Sequence, residues 1–480
     1  MARRRARKDR RPLVVGASVV ATLALCAGAI AADLDDRIPG ALTIHPVPVR
    51  TFSTPRTAYA ASELVQSLEQ GTPIDVGAVN ALADTFAAAG GVGADFSLLV
   101  ADADGNVVVD RNSDVLREPA STMKTLTAFA ASQALDMDST LDTETRLVYD
   151  AGTKTATLTL TGHGNMLLGS GASDPDHVNG RAGLGTLAQS TANALRARGI
   201  TAVKLVYDDS MFGDNRTPPN IIENNGGHQY ATDVSSMAVD GGRDWTGHTR
   251  PSNPDEEHSY PTLSSTTALD AARIFAARLA EQGVTVDGDP VSGETPADLS
   301  PIATVHSATL GEVMAYMLRN SDNTEAELFG RLLALKTGAE NSPAGAAQAV
   351  RAQLEQAGIN LDSLTMADCS GLASGSRLKV TTLVQVQRAM ITSGASAAAA
   401  NEGLPVSGLT GTAALRSFSD EAEGLVRLKT GSLTGVRSMA GNVSRLGGGL
   451  LYFAVVVNNS QDPYEANASI DALISGLVRL

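Results

Sequence analysis

Cysteine is nearly absent from the 480 residues: only Cys26 and Cys369 occur. Cys26 lies in an apolar N-terminal run, so the two cannot form a structural disulfide once that run enters a membrane or is removed. Stability must therefore come from a buried core and not from staples. Positive charge is also scarce. Lys and Arg number 37 against 52 Asp and Glu, a net charge of −15, and an acidic surface repels the phosphates of nucleic acid. The seven histidines are scattered, with no H-E-x-x-H and no cysteine pair, which leaves metal catalysis without a ligand set. Gly162-x-Gly164 and Gly169-x-Gly171 lack the following Gly-Lys of a phosphate loop, and His163 between those first glycines reads as a loop residue. Beyond the N-terminus no apolar stretch is long enough to cross about 30 Å of hydrocarbon, and no internal repeat is visible.

What the chain does have begins with an export pattern. Residues 1–32 hold seven basic side chains (Arg3, Arg4, Arg5, Arg7, Lys8, Arg10, Arg11) and one acid, Asp9, ahead of an apolar run from Pro12 to Ala32. A charged start, a hydrophobic segment and the A-x-A site Ala29-Ile30-Ala31 are expected of a signal peptide, or of a retained N-terminal membrane anchor. Removing this segment leaves an exported part of still more negative charge. Residues 33–60 read as a Pro-containing linker. The remainder divides into a first catalytic part at 61–143, an inserted domain or domains at 144–305, and a second catalytic part at 306–480. The length allows two or three domains with real cores.

Local patterning predicts a helix over 62–89 and a hairpin in which Phe96–Val100 and Val107–Val109 flank Asp104-Gly105-Asn106. A helix starts near Pro119 and runs through Ala130. Strand pieces (Thr155–Leu160, Ala202–Tyr207) and Ala-rich helices (Gly183–Arg198, Thr266–Gln282) occupy the middle. Helices follow at Leu310–Leu335 and Ala346–Ala357. Three strands (Leu425–Lys429, Ser438–Val443, Leu450–Val457) and a helix from Ala466 close the chain. Antiparallel strands with a helix on them indicate an α+β layer and not a doubly wound sheet.

Three short words then occur in order: Ser121-Thr122-Met123-Lys124, Ser321-Asp322-Asn323 and Lys429-Thr430-Gly431. A serine hydroxyl is a weak nucleophile and needs a base nearby. Positions i and i+3 share a helix face, which brings Lys124 within reach of Ser121. A lysine can act as base only if burial or a neighbouring cation makes it give up its proton near neutral pH, and Lys429 is a candidate for that cation. Ser321 is placed to shuttle a proton between Lys124 and the leaving group, and Asn323 to orient Lys124 and a substrate amide. Lys429 with the hydroxyls of Thr430 and Ser432 can hold a carboxylate. Gly431, at the end of a short strand, permits close backbone approach, and the N–H groups of Ser121 and Ser432 can form an oxyanion hole. Two of the words have duplicates. Ser376-Arg377-Leu378-Lys379 sits in a Gly/Ser loop and reads as non-catalytic, and Lys336-Thr337-Gly338 reads as a helix terminator with Gly at its C-cap.

Order, placement and context resemble the class C low-molecular-mass penicillin-binding proteins, the D-alanyl-D-alanine carboxypeptidase/endopeptidase family. Pro119-Ala120-Ser121-Thr122-Met123-Lys124 is similar to its P-A-S-x-x-K. Gly411-Thr412 with Leu415-Arg416 resembles G-T-L-x-x-R, with Ala413 in place of Leu. Asp368-Cys369-Ser370-Gly371-Leu372 resembles D-G-S-G-L, with Cys369 in place of Gly, and Ser376-Arg377 stands where the family has Asn-Arg. The nearly 200 residues between Lys124 and Ser321 match this class, whereas class A β-lactamases have a much shorter interval. The resemblance spans residue 60 to the end.

The resemblance implies a penicillin-binding-protein/serine β-lactamase-like transpeptidase fold: an antiparallel sheet flanked by helices, an all-helical region beside it, and a large insertion. It implies that Ser121 attacks the peptide carbonyl of a D-Ala-D-Ala stem terminus, or of a cross-link, in peptidoglycan outside the cytoplasm. An acyl-enzyme forms with Lys124 as base and Ser321 and Lys429 as relay, with no metal or organic cofactor, and β-lactams acylate the same serine. The alternatives are a serine β-lactamase on the same fold, for which Glu325 and Glu327 lie too close after Ser321 to be a convincing deacylating base, and a catalytically silent wall-binding module.

Overall fold

The computed structural model describes residues 22–30, 71–256 and 259–480. The rest of the N-terminal segment, the 33–60 linker and the 62–70 part of the first expected helix lie outside the described residues. Residues 22–30 are helical (α1) and exposed, and among the described residues no helix is long and apolar enough to cross a membrane.

The elements that follow are α2 (Val76–Ala87), β1 (Phe96–Asp102), β2 (Val107–Arg111), α3 (Met123–Ala134), β3 (Thr140–Asp150), β4 (Thr155–Gly162) and β5 (Asn165–Leu168). Then come α4 (Leu184–Arg196), β6 (Ala202–Asp208), β7 (Met237–Val239), α5 (Thr267–Glu281), β8 (Thr285–Val286), β9 (Val291–Ser292) and β10 (Pro301–Thr309). The last third holds α6 (Leu310–Asn320), α7 (Asn323–Thr337), α8 (Pro343–Gln356), α9 (Val380–Thr392), α10 (Ala395–Glu402), α11 (Gly411–Ala414), β11 (Val426–Leu433), β12 (Val436–Ser444), β13 (Leu450–Val457) and α12 (Pro463–Val478).

The main sheet has the order β11-β12-β13-β1-β2 and is antiparallel throughout. The expected D-G hairpin is β1–β2, with Gly105 at φ 91° in its turn. The first and last strands among the described residues therefore pair, Phe96 opposite Val457. Period-two alternation sorts β1 and β13 onto two faces. Leu98, Val100, Phe453 and Val455 pack toward α2 and α12. Leu99, Ala101, Ala454 and Val456 pack into the larger core that also holds α3, α6, α7, α8 and α9. Helices thus cover both faces, an α+β sandwich in three layers.

A second sheet, β10-β3-β4-β6-β8 with β9 beside β6, has its own core against α4 and α5. Its outgoing strand β3 and returning strand β10 pair directly, Thr143 opposite Val305. The long interval between Lys124 and Ser321 therefore leaves and re-enters at one place. Thr309 and Glu312 then form a capping box that starts α6, and α6 and α7 pack against α3.

Candidate active site

Ser121 lies in a 3-10 turn, Ala120–Thr122, immediately before α3. Ala120 before it adopts φ 49°, a left-handed conformation that a non-glycine residue keeps only when its surroundings demand it. Gly371 packs directly on the Ala120 carbonyl, a close approach that any side chain at 371 would block. Lys124, in the first turn of α3, is 0 % exposed. Its Nζ donates to Ser121 Oγ (3.0 Å), Asn323 Oδ1 (2.6 Å) and the Ser370 carbonyl (2.8 Å). Burial pushes its pKa down to about 8, while Asp368, Asp322 and Glu327 pull it back up. A lysine so placed supplies neutral amine near neutral pH and can take the Ser121 proton.

Ser321-Asp322-Asn323 is the joint between two helices, which divides the helical run expected over Leu310–Leu335. Ser321 ends α6 in the left-handed region (φ 58°), Asp322 caps α7 by accepting the Glu325 N–H, and Asn323 opens α7. Arg243 donates to the other Asp322 oxygen (3.0 Å), and the Asn323 amide is turned by donating to the Tyr230 carbonyl (2.8 Å). Ser321 faces the same cavity as Ser121, yet among the described residues its hydroxyl makes no hydrogen bond to Lys124.

The third word runs through β11 and does not end a strand, because the β11–β12 connection turns only at Thr434-Gly435, with Gly435 at φ 72°. Alternation gives its residues two directions. Thr430 and Ser432 line the cavity, and Thr430 donates to Thr412 Oγ1 (2.9 Å). Gly431 meets the Ser121 turn: a Cβ there would lie 3.0 Å from the Ser121 nitrogen and 2.9 Å from the Pro119 oxygen. Lys429 is fully buried and does not line the cavity. Its Nζ donates to the Thr430 carbonyl (2.9 Å), and burial, then Lys124, hold its pKa well below the ordinary value. Its side chain thus meets the strand backbone and not the cavity.

The cavity, about 650 Å³, brings Ser121, Ser321, Asn323, Thr430 and Ser432 together, and adds Thr412, Arg437, Tyr230 and Arg243. None of these additions was assigned a role from sequence. For Thr412 the signal was its place in the Gly411–Arg416 stretch; the others carry no local motif. Arg416 of that stretch pairs instead with Asp471 on α12 (2.7 Å). Asp368 was also missed as a functional group. Fully buried, it accepts from the Gly371, Leu372 and Ala373 N–H groups and from the Ser370 hydroxyl, so the turn holds with Cys369 in place of glycine. The duplicates are structural. Ser376 Oγ accepts from the Ala367 N–H, Lys379 pairs with Asp362 (2.6 Å), and Gly338 caps α7 at φ 71°. Among the described residues no group of acidic, cysteine and histidine side chains could hold a metal ion.

The sequence profile of the D-Ala-D-Ala carboxypeptidase 3 (S13) family matches residues 78–264 and 252–477. The chain belongs to this family. Among its curated relatives, Carboxypeptidase DacB of Mycolicibacterium smegmatis is 31% identical over 481 residues, covering 97% of this chain and 96% of that protein. A carboxypeptidase of Mycobacterium tuberculosis is 30% identical over 420 residues, 82% of this chain and 86% of the relative. Among solved structures, penicillin binding protein 4 (dacB) of Haemophilus influenzae superposes with a TM-score of 0.66 at 19% identity, covering 85% of this chain and 100% of that one. That likeness is one of fold, and it places this S13 chain in the penicillin-binding-protein architecture.

Proposed function

We propose that this S13 chain is a serine D-Ala-D-Ala carboxypeptidase, with endopeptidase action on cross-links, that works on peptidoglycan stem peptides outside the cytoplasm and is acylated by β-lactams at Ser121. The observation that carries this reading is the buried amine of Lys124 held between Ser121 Oγ and Asn323 Oδ1, behind two residues that line the cavity. Ser121 Oγ attacks the carbonyl carbon of the penultimate D-Ala as its proton passes to neutral Lys124. The N–H groups of Ser121 and Ser432 receive the developing oxyanion. Thr430, Ser432 and Thr412 hold the terminal carboxylate, which the buried Lys429 attracts through the strand. The C–N bond then breaks, the leaving amine takes the proton through Lys124 and Ser321, and water hydrolyses the ester. A penicillin presents the same pairing of amide carbonyl and carboxylate. Glu325 and Glu327 are buried and do not line the cavity, which favours a slowly hydrolysed penicillin adduct. The N-terminal segment serves as signal or anchor.

The test is intact mass spectrometry after incubation with benzylpenicillin. A long-lived adduct that disappears in Ser121→Ala is expected. Rapid penicillin turnover would point to a β-lactamase, and a folded protein that forms no adduct would refute the enzymatic reading.

A further inference from the structure

Behind the Ser121–Lys124 pair, away from the cavity, lies a buried group that the reaction above does not use. Glu327 follows Asn323 by one helical turn on α7, so both side chains project on the same side of that helix. It is 3% exposed, and its Oε1 accepts the Cys369 N–H (2.9 Å). The next residue, Ser370, supplies the carbonyl that accepts from Lys124. Thr127 Oγ1 grips the Cys369 carbonyl from α3 (2.6 Å), and Asp368 gathers the N–H groups that follow. One of the three acceptors around Lys124 is therefore positioned by a hydrogen bond to Glu327.

Charge bears on the same point. The charged groups facing Lys124 are Asp368, Asp322, Glu327 and the like-charged Lys429. Those facing Glu327 are Asp368, Lys124 and Arg331, together with the Cys369 thiol. Burial, then Asp368, raise the Glu327 carboxyl to about 8, against the Cys369 N–H, Ser370 and Lys124. An ionised carboxylate here would stabilise the ammonium form of Lys124 and withhold the free base.

We propose that Glu327 is a positioning residue for Lys124: through the Cys369 N–H it fixes the Ser370 carbonyl that aims the Lys124 amine at Ser121. The inference rests on Ser121 and Lys124 being nucleophile and base. It is tested on the full chain by the rate of Ser121 acylation with benzylpenicillin, followed by intact mass from about pH 5 to about pH 10, for wild type, Glu327→Gln and Glu327→Ala.

Gln keeps a neutral acceptor for the Cys369 N–H. Its rate is expected within about threefold of wild type, with the acid limb of the profile displaced by less than about half a pH unit. Ala frees the Ser370 carbonyl and opens space for water at the amine. Its rate is expected to fall about 100-fold, with the limb moved to higher pH. A Gln profile shifted down by about a unit or more would mean that Glu327 is an ionised counter-ion, which overturns the proposal. So would an Ala variant that matches wild type, or equal losses in both variants with the limb unmoved. If Ala does not fold, the Gln profile alone decides between these outcomes. A wild-type chain that forms no adduct overturns the function first, and this inference with it.

Discussion

A methyl group on Gly431 is expected to slow acylation while leaving the chain folded. Gly431 has no left-handed backbone, so the cost comes from contact and not from torsion. The added Cβ would sit 2.2 Å from Ser438 Oγ, 2.9 Å from the Pro119 oxygen and 3.0 Å from the Ser121 nitrogen. Ser438 can rotate aside, but its hydroxyl donates to the Pro119 carbonyl (2.7 Å), and losing that bond costs about 1 kcal/mol. The other two atoms are backbone and cannot rotate. Strand and turn must separate, at the roughly 1–3 kcal/mol typical of overpacking, for a total of about 2–4 kcal/mol. The separation occurs at the Ser121 N–H, and loss of one oxyanion donor typically costs about 100- to 1,000-fold in rate. Benzylpenicillin acylation kinetics, with thermal melting alongside, measure both effects. A Gly431→Ala protein that acylates within about threefold of wild type would refute the oxyanion geometry proposed for this edge.

Lys124→Arg keeps a charge and a donor but cannot lose its proton, so acylation should fall by about 100- to 10,000-fold; an unchanged rate by intact mass would remove Lys124 as base. Asp368→Ala strands the N–H groups of Gly371 and Ala373 in a buried turn, while that of Leu372 keeps the Ser370 hydroxyl; at about 1–3 kcal/mol for each stranded group, urea denaturation should show at least about 2 kcal/mol lost. A change near zero would mean that the turn has other support. Glu327 has a folded pKa of about 8, raised above its ordinary 4.5. The stability tied to its proton is thus complete below the ordinary value and is lost as pH rises through about 8. Wild type should therefore lose stability relative to Glu327→Gln across that window in urea titrations, and a constant difference would contradict the assignment. Ser376→Ala and Lys336→Ala should leave acylation unaltered, and a large loss from either would mean that the wrong words were assigned to the site.

Local signals were legible in the chain where their physics is local. The Asp104-Gly105-Asn106 turn, the helix after Pro119, the C-cap at Gly338 and the strand pieces of the second sheet all depend on hydrogen bonds and periodicities spanning a few residues. One local reading failed because a glycine was taken as a break: Gly431 continues β11, its missing side chain admitting the Pro119–Ser121 turn. The helical run expected over Leu310–Leu335 is in turn divided at Ser321, which adopts the left-handed cap between α6 and α7. The spacing of the three words indicated a nucleophile, its base and an amide partner, and the buried contacts of Lys124 join these residues.

By itself, then, the sequence determined the reaction class, the order of the parts and the secondary structure that carries Ser121, Lys124 and Asn323. The tertiary structure alone decided that β3 and β10 pair, so that the chain between them leaves and returns at one place, and that Lys429 faces inward. It also decided that the Ser370 carbonyl accepts from Lys124 and the Tyr230 carbonyl from Asn323, with Asp368 and Glu327 buried nearby. Those two carbonyls lie 246 and 93 residues from their donors. No periodicity reaches across such distances. Packing of α3, α7 and the 368–373 turn against one core sets them, and the same burial lowers the Lys124 pKa.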